Sequence, residues 1–157
     1  MGDFFNLNML LKLCAAALGT TGFAVLFGVR TKHLALAGIG GFFTYAVFYT
    51  FNFFGASLFV CSFTSAAFAA LYSELCARVN KAPNAVFLIP CGIPIVPGSE
   101  LYYTMRYLLE KNLESSSKYL SNAFMIGLGI AGGIVVISII CELIFNAYFK
   151  KRKAKKI

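Results

Sequence analysis

The sequence predicts an all-α integral membrane protein of about five transmembrane helices, the fourth broken at a proline-glycine motif, forming one transmembrane domain over residues 1–157. Composition carries the first part of this reading. Hydrophobic residues make up 59% of the chain and charged residues 13%, at a mean hydropathy of +0.77, whereas soluble domains are about a quarter charged. The second observation is segmentation: long apolar runs alternate with short turns that are basic or uncharged. The third is the run from Leu88 to Tyr102, which holds Pro90, Pro94 and Pro97 together with Gly92 and Gly98. A regular helix cannot pass through it, because each proline lacks an N–H and its ring clashes with the carbonyl four residues back.

The first span is expected over residues 13–29, with Lys12 as an interfacial anchor at its outer edge. Ala15, Gly19 and Gly22 give it a face of small residues that lets another helix approach closely. The basic turn Arg30-Thr31-Lys32-His33 ends it. The second span, 34–54, opens with Gly38, Gly40 and Gly41, with Gly38 and Gly41 read as packing residues. It then places Tyr45, Tyr49 and Asn52 on one face. The third, 56–73, carries Ser57, Cys61, Thr64, Ser65, Phe68 and Tyr72 at helical spacing, and Glu74 and Arg78 are spaced for an ion pair just beyond it. Its polar stripe fits either interhelical hydrogen bonding or the lining of a pathway.

The broken fourth span covers 85–109. In lipid, backbone groups freed by a break must be covered by protein or by a watery cavity, so the break belongs inside a bundle. Gly98 is expected to turn the chain and Ser99 to cap a second half-helix starting at Glu100, whose bare N–H groups and positive dipole end would face the interior. The carbonyls of Pro90 and Ile93, robbed of their helical partners, are then candidates to receive an ammonium or a coupling cation. A kink that only shapes packing is the plainer alternative. Residues 111–121 are polar and read as a surface loop or helix extension. The fifth span, 122–149, carries Gly129 and Gly133 as packing residues, then Ser138, Glu142 and Asn146 on one face. Glu142 is either a functional intramembrane acid or a carboxylate reaching toward the surface.

Ten of the fourteen basic residues lie in the Arg30/Lys32 turn, the Arg78/Lys81 turn and the tail 150–157. Five crossings put all three on one side, and the positive-inside rule makes that side the cytoplasm, with the N-terminus outside. The tail accounts for six of those basic residues, so the net charge of +8 reads as a topology signal and a grip on anionic lipid, and nucleic acid is not expected as a partner. The five cysteines stand singly and His33 is the lone histidine, so no metal site, disulfide framework or catalytic triad is expected, and no enzyme activity or cofactor. The first residues, Met1 to Phe5, lack the basic region and cleavage site of a secretory signal.

Ile93-Pro94-Ile95-Val96-Pro97-Gly98, followed by Tyr102, resembles the proline-glycine motif of the bacterial threonine/serine exporter family, in the short form that corresponds to its C-terminal membrane half. Phe27-Gly28-Val29, Gly38, Gly41 and the basic tail extend the resemblance. It implies the small subunit of a two-component exporter in the bacterial inner membrane. Such a subunit would move threonine/serine-like amino acids, or dicarboxylates such as succinate, with ion or proton coupling. A larger membrane subunit and the lipid bilayer are the partners it implies, and an oligomer is expected from the number of small-residue faces. The alternative is a non-transporting scaffold that assembles a larger partner. The residues expected on a substrate pathway are Pro90, Pro94, Pro97, Gly98, Ser99, Tyr102 and Glu142; for Tyr102 the competing reading is an aromatic belt.

Overall fold

The computed structural model describes residues 7–154, with side chains from 9 to 145. The N-terminal residues 1–6, the side chains of the basic tail, and Asn146 of the expected polar face lie outside the described side chains, so the expectations that rest on them are not met by any observation.

The described chain runs α1 (Leu7–Leu26), α2 (Thr31–Phe53), α3 (Leu58–Asn80), α4 (Ala85–Gly92), a 3-10 turn (Ile93–Ile95), α5 (Gly98–Leu109) and α6 (Leu113–Ala154). Local chemistry sets the joints. Gly28 adopts φ 68° and Gly55 φ 74°, conformations costly for any side chain, and these two glycines turn the chain between α1 and α2 and between α2 and α3. Ser57 caps α3, its hydroxyl accepting from the Val60 N–H at 3.4 Å. Lys81 ends α3 in a left-handed conformation with its N–H turned back to Arg78 and Ala77. Asn112 starts α6 by accepting the Ser115 N–H at 3.1 Å. The polar stretch 111–121 is therefore mostly the first turns of α6, and α3 continues through the Glu74–Arg78 ion pair to Asn80. Charged and polar residues end a membrane span long before they end a helix.

Helices α1, α2, α3 and α6 are each long and apolar enough to cross a membrane, and α4 with α5 forms a pair bent by 48° that makes a fifth when counted as one span. The packing decides how to count it. A Cβ on Gly129 would meet Phe59 and Ser62, one on Gly133 would meet Phe63 and Ala67, and Phe145 lies under Arg78. The numbers rise together, so α3 and α6 run parallel. The chain must recross the bundle between them, and only the α4–α5 pair lies there.

Helix α2 sits between α1 and α3, α4 lodges against α2, α3 and α1, and α6 lies along α3 and carries α5. The core is small and polar: Thr20, Thr44, Cys61, Ser62, Ser65, Ser73 and Cys91 are fully buried, alongside Ala24, Ala37, Ala66, Ala69 and Ala70. Leu26, Phe54, Leu128, Leu143 and many other large apolar side chains point outward. That inversion suits a lipid solvent, in which large side chains gain nothing by hiding and close contact between small residues holds helices together. Thr20, Ser62 and Ser65 satisfy their hydroxyls on the carbonyls of Ala16, Leu58 and Cys61 one turn back.

The glycines divide. A Cβ at Gly38 would come 2.5 Å from Thr21 Oγ1, one at Gly41 2.6 Å from Thr20 Cβ, and one at Gly40 2.6 Å from the Tyr72 ring. Gly19 and Gly22 have nothing within 4 Å. Helix α1 turns Ala17, Thr20 and Thr21 toward α2, and the Gly19/Gly22 side faces away.

Candidate functional site

The broken helix behaves differently on its two sides of the break. Pro94 and Pro97 leave carbonyls without their helical donors, but the chain tightens to reclaim them: the Ile93 N–H donates to Pro90 O, the Val96 N–H to Ile93 O at 3.2 Å, and the Gly98 N–H to Val96 O at 2.8 Å. The carbonyls of Pro90 and Ile93 are thus already engaged, which corrects the expectation that they stand free for a cation. Helix α5 starts two residues earlier than expected, at Gly98 instead of Glu100. Pro97 occupies its N-cap position, no side chain caps it, and Ser99 lies exposed in the first turn. Gly98 keeps an ordinary negative φ, so the proline pair and the extended Val96 make the bend.

Below the break Pro90, Cys91 and Ile95 are buried; above it Gly98, Ser99, Leu101 and Tyr102 are exposed. Tyr102 meets Tyr103 edge to face, in a group of rings completed by Tyr107 and Tyr119. Pro97 and Leu101 border an apolar groove of about 330 Å³ closed on the other side by Leu120, Ala123, Phe124, Gly127 and Leu128 of α6. Glu142 and Ser138 are exposed on α6, away from the bundle interior that their spacing suggested. The seven residues expected on a pathway are therefore not gathered at one place.

A larger cavity, about 530 Å³, lies between the α1–α2 and α3–α4 turns. Phe27-Gly28-Val29 and Asn80-Lys81-Ala82-Pro83 form its sides, Ala85, Val86 and Ile89 of α4 face it, and Pro90 ties it to the broken helix. Arg30, Lys32 and Lys81 line it, and no aspartate or glutamate does. Helices α2 and α4 both begin beside it with no side chain capping either start, so two positive dipole ends add to the three cations. His33, 4% exposed, sits in the wall edge-on to the Phe87 ring at 5.3 Å, and its Nδ1 has no hydrogen-bond partner. Chemically such a lining suits an anion better than a cation. Three cations converging on a concave, acid-free surface attract an anion and repel a cation.

Sequence reasoning placed Arg30, Lys32 and Lys81 in topology-setting turns and gave His33 no role. The turns lie some fifty positions apart, and only the antiparallel pairing of α2 with α3 brings them to one end of the bundle. The available signal was their common sidedness, which bounds the cavity without revealing its concavity. Among the described residues no cluster of His, Cys, Asp or Glu could hold a metal ion.

No curated protein and no solved structure matches the chain. A family model described as "Threonine/Serine exporter, ThrE" matches residues 12–140, covering α1 from its second turn through most of α6 and including both the basic cavity and the break. Multi-pass membrane helices and amino-acid export belong together in that family, and its membership points away from an enzyme. The chain is a member of the threonine/serine exporter family, a membrane transporter of the threonine/serine exporter type.

Proposed function

We propose that the chain is the small subunit of a two-component exporter and that its basic cavity receives the substrate from the cytoplasm. The acid-free lining of that cavity is the observation that carries the reading. A zwitterionic threonine or serine would bring an ammonium into a ring of three cations with no carboxylate to pair it. A dicarboxylate such as succinate would meet two charges with three. Between the substrate classes the family resemblance implies, the electrostatics favour the dicarboxylate.

Support for a larger partner comes from the upper side of the break. Gly98, Ser99, Leu101 and Tyr102 are exposed on this chain, and a half-helix start facing hydrocarbon would leave N–H groups unsatisfied. A second membrane subunit packed there covers them, and its substrate-facing surface could then use the α5 N-terminus as a second carboxylate contact. Glu142, exposed on α6, serves ion or proton coupling only through the same partner. Orientation follows the basic turns: cavity and C-terminus cytoplasmic, N-terminus outside.

Counterflow of labelled succinate and labelled threonine into proteoliposomes holding both subunits tests the reading. Succinate uptake at least ten times faster than threonine uptake is the expected result, vanishing when either subunit is omitted. Faster threonine exchange would refute the dicarboxylate assignment, and full activity of either subunit alone would refute the two-component one. Orientation is checked separately: Gly55→Cys, at the α2–α3 turn, should be labelled by an impermeant thiol reagent on intact cells, and labelling only after permeabilisation would invert the topology.

A further inference from the structure

We infer that the closed translocation pathway runs along the seam where α2, α3 and α4 meet, with His33, Ser73 and Thr44 as its polar stations. The inference rests on transport as the activity of the chain, and not on which substrate the cavity takes.

On α2, His33, Ala37, Gly40 and Thr44 are all buried and fall at i, i+4, i+7 and i+11, one stripe along one face, while Gly41 beside it packs on Thr20 of α1. The stripe begins in the cavity wall and runs eleven residue steps, a rise of about 16 Å, half of a ~30 Å hydrocarbon core. Helix α4 and its 3-10 turn pack on the same helix, so the seam runs from the cavity up the length of the lower half of the broken span. Gly40 brings α2 against Tyr72 and Cys91, and the Tyr72 hydroxyl donates across the seam to Leu36 O at 2.8 Å. The Cys91 thiol does the same to Ala37 O at 3.7 Å.

What marks this seam as a route is its unspent polarity. Thr20, Ser62 and Ser65 are buried hydroxyls too, and each bonds the carbonyl one turn back. Thr44 and Ser73, both fully buried, do not: the Thr44 hydroxyl has no hydrogen-bond partner, and Ser73 faces only the Cys91 sulfur, a weak acceptor. His33 Nδ1 is another such group, the remaining two among the described residues being Arg78 Nε near the end of α3 and Asn84 Oδ1 at the start of α4. A helix core that needed only close packing would hold alanine at these positions. Unpaired polar groups at the mouth, in the middle and at the upper end of one continuous seam are groups awaiting water and substrate when α4 moves. Pro90 and Cys91, fully buried, and Phe87, fully buried against His33, are what close it.

Thr44→Val and Ser73→Ala remove hydroxyls that make no strong hydrogen bond, so thermal unfolding midpoints in detergent should stay level or rise, while succinate and threonine counterflow should both fall at least tenfold. Ser65→Ala, which removes a hydroxyl already bonded to Cys61 O, should do the opposite: lose some stability and keep transport. A readout independent of substrate accompanies these. With mass spectrometry following each cysteine, Thr44→Cys and Ser73→Cys in proteoliposomes should react with a small anionic methanethiosulfonate reagent well ahead of Cys61, which is equally buried on α3 outside the seam. Labelling no faster than Cys61, or wild-type counterflow in both hydroxyl variants, would overturn the pathway. Seam labelling in a protein that moves neither probe would instead condemn the substrate reading and leave the pathway standing.

Discussion

Arg30→Glu combined with Lys32→Glu is expected to reduce transport about a hundredfold at low substrate concentration while leaving the fold intact. Both side chains are exposed and both sit at the start of α2, where a carboxylate suits the helix dipole better than a cation does. Stability should therefore hold or rise slightly. In the cavity the effect is the reverse, since the change turns two attractive charges into repulsive ones. One carboxylate about 6 Å from a bound carboxylate costs roughly 3 kcal/mol at an effective dielectric of about 20, which is about a hundredfold in affinity. The rise should fall on KM more than on maximal rate, and labelling of Gly55→Cys in the same background must confirm that the topology has not inverted. Lys81→Gln, which removes one attractive charge without adding a repulsive one, should raise KM in the same direction but by less than the double reversal. Wild-type KM in the double variant would remove the cavity from the substrate's route.

The second large effect is structural. Gly133→Val should abolish recovery of folded protein, judged by a monodisperse peak on size exclusion and by thermal melting. A Cβ at Gly133 would meet Phe63 O and come 2.9 Å from Ala67 N, and these are backbone atoms of α3 that no rotamer change can withdraw. The helices would have to separate, and among the described residues α6 packs substantially on α3 and α5 alone. Overpacking of this kind costs about 1–3 kcal/mol in cores that can relax and more where they cannot. Gly129→Val should behave alike, because Phe59 O stands 2.7 Å from the corresponding Cβ. Gly127→Ala and Gly19→Ala, with nothing within 4 Å, are the controls and should be neutral or mildly stabilising. Normal recovery of Gly133→Val would mean that α3 and α6 are not packed at this distance.

The contrast among these glycines explains how much the sequence could reveal. Apolar length and basic turns suffice to find the helices, because lipid imposes them element by element. The proline spacing suffices to find the break, because a missing N–H and a ring clash are local facts. Gly19 and Gly133 look alike in the sequence, however, since both lie in apolar helices among small neighbours; which one meets another helix depends on rotation about the helix axis, a tertiary quantity. The candidate site failed to be legible for the same reason. Arg30 and Lys81 advertise a side of the membrane without saying that they share a cavity. Ser99 and Pro90 O were assigned roles from ideal helix geometry, and the chain instead tightened into a 3-10 turn that reclaimed the carbonyls.

The bend between α4 and α5 also fixes a mechanical ratio. Helix α4 is lodged in the bundle against α2 and α3, whereas α5 packs mainly on α6, to which the Ser116 hydroxyl holds it through Thr104 O at 3.0 Å. The joint thus separates an arm packed among several helices from one packed mainly on α6. With twelve residues in α5 and a 48° bend, a rise of ~1.5 Å per residue gives an arm of about 18 Å whose tip would travel about 15 Å if the pair straightened. A change of a few degrees at Val96 and Pro97 is correspondingly amplified about Leu109, and with it the stacked rings of Tyr103, Tyr107 and Tyr119. A partner seated on that arm could read, or drive, the opening of the seam from a distance.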